Sequence, residues 1–285
     1  MSRSSKTIVA LLWVTIAAIP WIEGHAFYRL SSDERPYSEL YETYKPSGFA
    51  GHAMGIIGSL MIIVGVTTYS VRRRARSLHK LGKLRSWLTF HIFLCTLGPY
   101  LVLMHTTFKI GNIAAVTFWS MAVVVGSGIF GRYIYQHIPK GLDGVFFGDD
   151  QLLSQKQDIV ERVSLITGQS GESIYGLIRE FSVTPPGGLL AAVWATIRFD
   201  LRHRKLTHRL SAALQGQGTE RGLSDRAVPI LVDGLRLDHS FVMSGPMQKL
   251  FGYWHVFHIP LAVVMLITFL VHLGVAIVFG YTWIF

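Results

Sequence analysis

Apolar residues gather into five long stretches, at about 7–22, 50–71, 87–108, 112–136 and 255–280, with polar residues in the gaps. A helix that crosses a bilayer needs about 20 mostly apolar residues, since lipid offers no partners for backbone N–H and C=O groups. The pattern therefore predicts an all-α integral membrane protein with about five transmembrane helices. The first stretch is short enough to be a secretory signal. No clean small-residue cleavage site follows Ala17 and Ala18, so a retained helix is expected.

Residues 137–250 form a different zone. LSQKQDIVERVSLI and ESIYGLIREF place apolar residues at steps of three and four, the period of an amphipathic helix. Pro185-Pro186 followed by Gly187-Gly188 divides the zone in two. LLAAVWATIRF, at 189–199, is too short to span, and the basic DLRHRKLTHR follows it at once. A helix on the membrane surface and a core helix of the insert both fit that segment. The expected organisation is a membrane part at 1–136 with four spans, a helical insert at 137–250, and a last span within 251–285.

Composition agrees with the pattern. Half of the 285 residues are hydrophobic and 15% are charged, against roughly 25% charged in a soluble domain. Mean hydropathy is +0.38. The net charge of +10 points to nucleic acid only until it is mapped. VRRRARSLHKLGKLR, at 71–85, carries seven of the 27 Lys and Arg directly after a span. Cations concentrate on cytoplasmic loops, so this loop is expected inside. Residues 23–47 hold five acids and three basic residues and are expected outside. Alternation then places the N-terminus and the nearly neutral 137–250 insert in the cytoplasm and the C-terminus outside a prokaryotic inner membrane. The charge is a topology signal, and no nucleic-acid partner is expected.

Cys95 is the single cysteine, inside the third stretch. This excludes an intrachain disulfide, an iron–sulfur cluster held by this chain alone and a CxxCH haem attachment. Glycine-rich nucleotide loops and internal repeats are absent from the sequence.

Histidine supplies the candidate chemistry. His91 and His105 share the third stretch, His258 and His272 the fifth, and each pair is fourteen positions apart. Fourteen residues make nearly four helical turns and rise ~21 Å, so each pair lies on one helix face with one ring toward each side of the bilayer. The two helices run in the same direction, so His91 matches His258 in depth and His105 matches His272. Ionisable residues inside spans are costly and usually mark function, although histidines also serve as interhelical hydrogen-bonding groups. Bis-histidine ligation of two non-covalent b haems is the expected use, with His91 and His258 on one iron and His105 and His272 on the other. Two axial nitrogens leave no open position for oxygen or substrate, which favours electron transfer.

The surroundings add candidates. Gly98 stands midway between His91 and His105, where a macrocycle edge or a neighbouring helix needs room. Gly51, Gly55, Gly58, Gly126, Gly128 and Gly131 are further small residues, suited to close helix packing. Lys109, one turn beyond His105, and Arg85 and Arg132, at inner helix ends, are candidate partners for haem propionates; snorkelling to headgroups also accounts for them. Met265 is expected to fill core. His255 is an inferior substitute for His258, because it leaves the common face. His52 lies near Tyr41, Glu42 and Tyr44 and is a candidate quinone contact. His25, His79, His137, His203, His208 and His239 are expected to be ordinary surface residues.

FHIFLCTLGPYLVLMHTTF and WHVFHIPLAVVMLITFLVH, within 86–136 and 251–280, resemble the haem helices of cytochrome b from the bc complexes. The membrane domains of ferric reductases and NADPH oxidases look similar too and use the third and fifth spans, as here. The resemblance implies a four-helix haem-binding bundle with His91, His105, His258 and His272 as axial ligands. The departures are specific. The bc-type cytochromes lack an insert at this place and carry a quinol-site signature not found here. The flavin-linked reductases continue into a nucleotide-binding domain, whereas this sequence ends at Phe285. Electrons are then expected to pass through a quinone or another redox subunit, of iron–sulfur, flavin or c-type cytochrome kind.

The leading expectation is a di-haem b subunit of an electron-transfer complex, with two b haems, quinone and lipid as its non-protein partners. A metalloreductase-type carrier fed by a cytoplasmic flavin or iron–sulfur partner is an alternative. So are a haem-free transporter whose histidines relay protons and a haem-free assembly factor.

Overall fold

The structure is a computed structural model and describes residues 3–109, 111, 113–138, 149–182 and 187–279. Every described element is helical. Among the described residues, five helices are long and apolar enough to cross a membrane, as the hydropathy pattern requires. Contacts divide the chain into two compact units, Met1–Ser127 with His258–Phe285, and Gly128–Phe257.

In the first unit, α1 (Arg3–Tyr28), the four-residue α2 (Tyr41–Tyr44), α3 (Phe49–Arg74) and α4 (Leu84–His105) follow one another, and α5 begins at Ile113. α1 is longer than its apolar stretch at both ends. Neither Pro20 nor the polar Glu23–His25 stops it. Trp13 donates to the Thr96 hydroxyl at 3.1 Å and Tyr100 donates to the Ala17 carbonyl at 2.9 Å, so α1 runs alongside α4 in the same direction. α3 runs the opposite way along α4. These directions are the ones alternate crossing demands. Phe27, Tyr28, Tyr44, Met54, Leu101 and Met104 form the core at one end of this packing.

α4 stops at His105 because the next turn cannot continue the helix. Thr107 and Phe108 adopt φ values of 50° and 61°, the left-handed region that non-glycine residues seldom enter. Lys109 therefore does not lie on a helical face one turn past His105, as the sequence pattern had it.

The second unit contains the end of α5 (Ile113–Gln136), then α6 (Asp149–Thr167), α7 (Gly171–Phe181), α8 (Leu189–Leu201), α9 (His203–Gly216) and the first part of α10 (Arg221–Val278). The amphipathic periods at 149–181 form the expected helices. The expected break at Pro185-Pro186 lies outside the described residues. Val163, Ile174, Leu210, Leu214 and Leu231 have no exposed surface and tie α6, α7, α9 and α10 into one core. A second core joins Ile134 of α5 and Ile138 just beyond it to Ala192 of α8 and Met243 and Met247 of α10. α8 combines both readings of its sequence. Ala192 and Thr196 are buried, while Leu190, Trp194 and Leu201 on the opposite face are exposed.

The last helix differs from expectation in extent. α10 is continuous over 58 residues, so the last span has no separate start near 251. The helix passes through Gly245, Pro246 and Gly252 without a break. The units divide inside α5, between Ser127 and Gly128, and inside α10, between Phe257 and His258.

Candidate functional site

The four histidines belong to the first unit. His91 and His105 sit on the side of α4 that meets α3. His91 Nδ1 lies 2.9 Å from the Gly65 carbonyl oxygen and His105 Nδ1 lies 2.9 Å from the Gly51 carbonyl oxygen. Between them, Gly58 and Gly98 touch back to back: a Cβ built on either glycine would come within 2.6 Å of the other's carbonyl oxygen. Glycines 51, 58 and 65 of α3 thus stand opposite His105, Gly98 and His91 of α4, one contact every seven residues. Gly98 meets its neighbouring helix here, and α3 fills the space beside it.

This register decides the state of two rings. A carbonyl oxygen only accepts, so Nδ1 of His91 and His105 must carry the proton. Each Nε2 is then left with its lone pair. Fixing one ring nitrogen on a backbone carbonyl while the other faces outward is the usual preparation of a histidine ligand. On α10, His258 Nδ1 lies 3.1 Å from the Ser127 hydroxyl of α5. The Thr117 hydroxyl donates to the Thr268 carbonyl at 3.0 Å, which fixes α5 and α10 antiparallel.

Neighbouring groups complete the picture. The His52 ring stands edge-on to His105 with centroids 6.4 Å apart. His272 stands near enough to His105 to interact with it electrostatically. Tyr69 packs against His91 at 5.2 Å. Cys95 is partly buried beside His91, 3.6 Å from Nδ1, and belongs to the packing against Gly65. Met265 is half-buried.

The expected propionate partners are scattered. Arg85 and Lys109 are exposed at the two ends of α4. Arg132 belongs to the second unit, where it stacks over Tyr135 at 5.8 Å. Gly131 is also in that unit, and a Cβ there would overlap the Trp254 ring, while a Cβ on Gly126 would meet nothing.

Two expectations about histidines need correction. His239 is no surface residue: it is 3% exposed and stacks on Phe199. His137 is engaged with Asp200 and Tyr133. Both sit in polar segments of the sequence, and their burial comes from helices distant in the chain. The Gly51 and Gly65 carbonyls and Ser127 were not singled out either. Their signal was present in the seven-residue glycine spacing of α3, which mirrors that of His91, Gly98 and His105.

Nothing matches. No family model fits the chain, and neither a curated protein nor a solved structure matches it.

The donor set fits haem. His91 and His105 offer imidazoles with an anchored Nδ1 and a lone pair on Nε2, on two helices packed through glycines. Gly55 leaves room for the His105 ring, since a Cβ there would lie 2.9 Å from its Nδ1.

Proposed function

We propose that this chain is a di-haem b membrane cytochrome that carries electrons between the quinone pool and partner redox subunits. The observation that supports it best is the matched anchoring of His91 and His105, each by a glycine carbonyl of α3, fourteen residues apart on both helices. A purely structural role does not need this, because a histidine bridging two helices needs no preserved tautomer on each of two matched levels. When bound, the haems supply one-electron redox chemistry, and the protein sets ligation, burial and hence potential.

In this reading His91 and His258 hold one haem, His105 and His272 the other. α3 fixes the α4 rings through Gly65 and Gly51, and α5 fixes His258 through Ser127. The lipid-facing helices exclude water from both irons. His52, beside His105, contacts a quinone or exchanges a proton. Arg85 and Lys109, at the two ends of α4, balance propionate charge. The chain lies in a prokaryotic inner membrane with its N-terminus and the 137–250 insert in the cytoplasm. The insert docks an iron–sulfur, flavin or c-type cytochrome partner, or shapes a quinone site.

A reduced-minus-oxidised spectrum of the purified protein, with haem quantified per chain, tests this directly. Two b haems per chain are expected. A colourless protein that folds normally would sink the reading and move the proton-relay transporter forward.

A further inference from the structure

Within the second unit, α8 is held against the last turn of a spanning helix. α5 is apolar enough to cross a membrane over Ala115–Gln136. Near the start of α8, Ala192 shares a core with Ile134 and Ile138, at and just beyond the end of α5. Near its other end, Asp200 Oδ2 accepts from the Tyr133 hydroxyl at 3.2 Å and lies 3.0 Å from His137 Nε2. Both ends of α8 are thus tied to residues 133–138, and the helix runs beside that turn rather than away from it. α8 has 13 residues. At 1.5 Å per residue that is ~20 Å, too short for a hydrocarbon core of ~30 Å. It sits where α5 leaves the lipid, and it cannot itself cross.

The other face of α8 is apolar and uncovered. Leu190 is 85%, Trp194 60% and Leu201 79% exposed. With about 100° between successive residues, these three fall within about 40° of one another on the helix surface. They stand opposite Ala192 and Thr196, which are buried. The exposed Arg198 and Arg202 line one flank of the stripe. Asp200, on the other flank, is engaged with Tyr133 and His137. On α6 the exposed Leu153 and Leu165 are about three turns apart, and apolar side chains scattered in that way are ordinary. Three gathered on one face of a short helix are not.

Position and charge select what covers the stripe. A core helix of the insert accounts for Ala192 and Thr196, but it gives no reason to hold Leu190, Trp194 and Leu201 in water. A protein partner would have to reach a stripe beside the bilayer surface, where lipid is already present. Residues 189–209 hold five Lys and Arg (Arg198, Arg202, Arg204, Lys205 and Arg209) against one acid, Asp200. Cations next to an apolar face suit the boundary of an anionic leaflet. Trp favours that boundary as well, and arginine stems cross it to bring their guanidinium groups to the phosphates.

We propose that α8 is an interfacial anchor recognising anionic phospholipid. Leu190, Trp194 and Leu201 lie among the acyl chains beside the end of α5, and Arg198 and Arg202 contact the phosphate-bearing headgroups. This rests on the reading of the chain as a membrane protein and needs neither haem nor quinone. α9 begins at His203, directly after α8, so the anchor also fixes where the following helices of the insert leave the membrane surface.

The test uses the full chain, one copy per nanodisc, in phosphatidylcholine containing a minor fraction of brominated lipid. In a Cys95→Ser background, a nitrobenzoxadiazole label is attached at Leu190→Cys. Ile57→Cys, on an exposed position of the spanning α3, and Leu165→Cys, exposed on α6, are the references. Brominated phosphatidylcholine is expected to quench the labels at 190 and 57 but not at 165, where iodide should quench instead. Brominated phosphatidylglycerol at the same mole fraction should quench position 190 more strongly, because each cation near the surface favours an anionic lipid about fivefold. Arg198→Gln with Arg202→Gln should abolish that excess and leave quenching by brominated phosphatidylcholine unchanged. A label at 190 reached by iodide and not by brominated lipid overturns the proposal. One shielded from both does so too, since protein would then cover the stripe. Equal quenching by the two lipids, or an excess that survives the double substitution, overturns the headgroup contact and the proposal with it. Quenching at 57 without quenching at 190 sinks the anchor alone, whereas no quenching at either sinks the membrane reading itself.

Discussion

At the residue scale, glycines of α3 hold the His105 and His91 rings through the Gly51 and Gly65 carbonyls. A Cβ on Gly55 would lie 2.9, 3.0 and 3.1 Å from three atoms of the His105 ring. The ring is already tied to the Gly51 carbonyl, so it cannot yield without breaking that bond. Gly55→Ala is therefore expected to cost about 1–3 kcal/mol, the range for overpacking a fitted interior, and to remove one haem per chain. Gly126→Ala, where an added Cβ meets nothing, should change neither. Thermal unfolding in detergent and haem quantification check both. Equal effects of the two substitutions would detach the His105 ring from this argument. The spacing of these glycines was readable in the sequence, but their role was not. A repeat of seven on one helix acquires meaning only when its partner and register are known, and Gly51–His105, Gly58–Gly98 and Gly65–His91 are contacts between segments that the sequence leaves unaligned.

At the element scale, one cation ties the ends of two spanning helices. The Arg35 guanidinium donates to the carbonyls of Tyr28, Leu30 and Thr107, and it lies between the rings of Phe27 and Phe108. Tyr28 ends α1, and Thr107 follows the end of α4. Helix C-termini carry unpaired carbonyls and partial negative charge, which a cation offsets. Arg35 is 6% exposed, so its loss leaves buried acceptors unpaired. Arg35→Met is expected to destabilise the protein by about 2 kcal/mol and to loosen His105, which stands two residues before Thr107. The predicted result is a lower melting temperature and a broadened or missing signal from the His105 haem alone. Loss of both haem signals would show a global failure instead. Helix existence was legible here: all five apolar stretches became helices long enough to span. Helix ends were less so. Apolarity does not register the left-handed Thr107 and Phe108 that end α4, and local breaker residues did not reveal that α10 runs on from Arg221 to Val278.

At the scale of the whole molecule, the two-haem reading makes a pairing claim that single substitutions cannot test. Depth matching pairs His91 with His258 and His105 with His272. If each iron needs both its ligands, two substitutions on the same iron cost one haem, and two on different irons cost both. His91→Ala with His258→Ala should keep one haem per chain, with the same spectrum as either single variant. His91→Ala with His105→Ala should keep none, although that change leaves α10 untouched. Non-additivity within a pair and additivity between pairs is the signature of shared sites. Haem content and redox titration of the four single and two double variants measure it. If the His91/His258 double variant loses both haems while the singles lose one each, the pairing is wrong. Crossed pairs would then have to be drawn between levels, against a register in which Gly65 and Gly51 hold the two α4 rings fourteen residues apart.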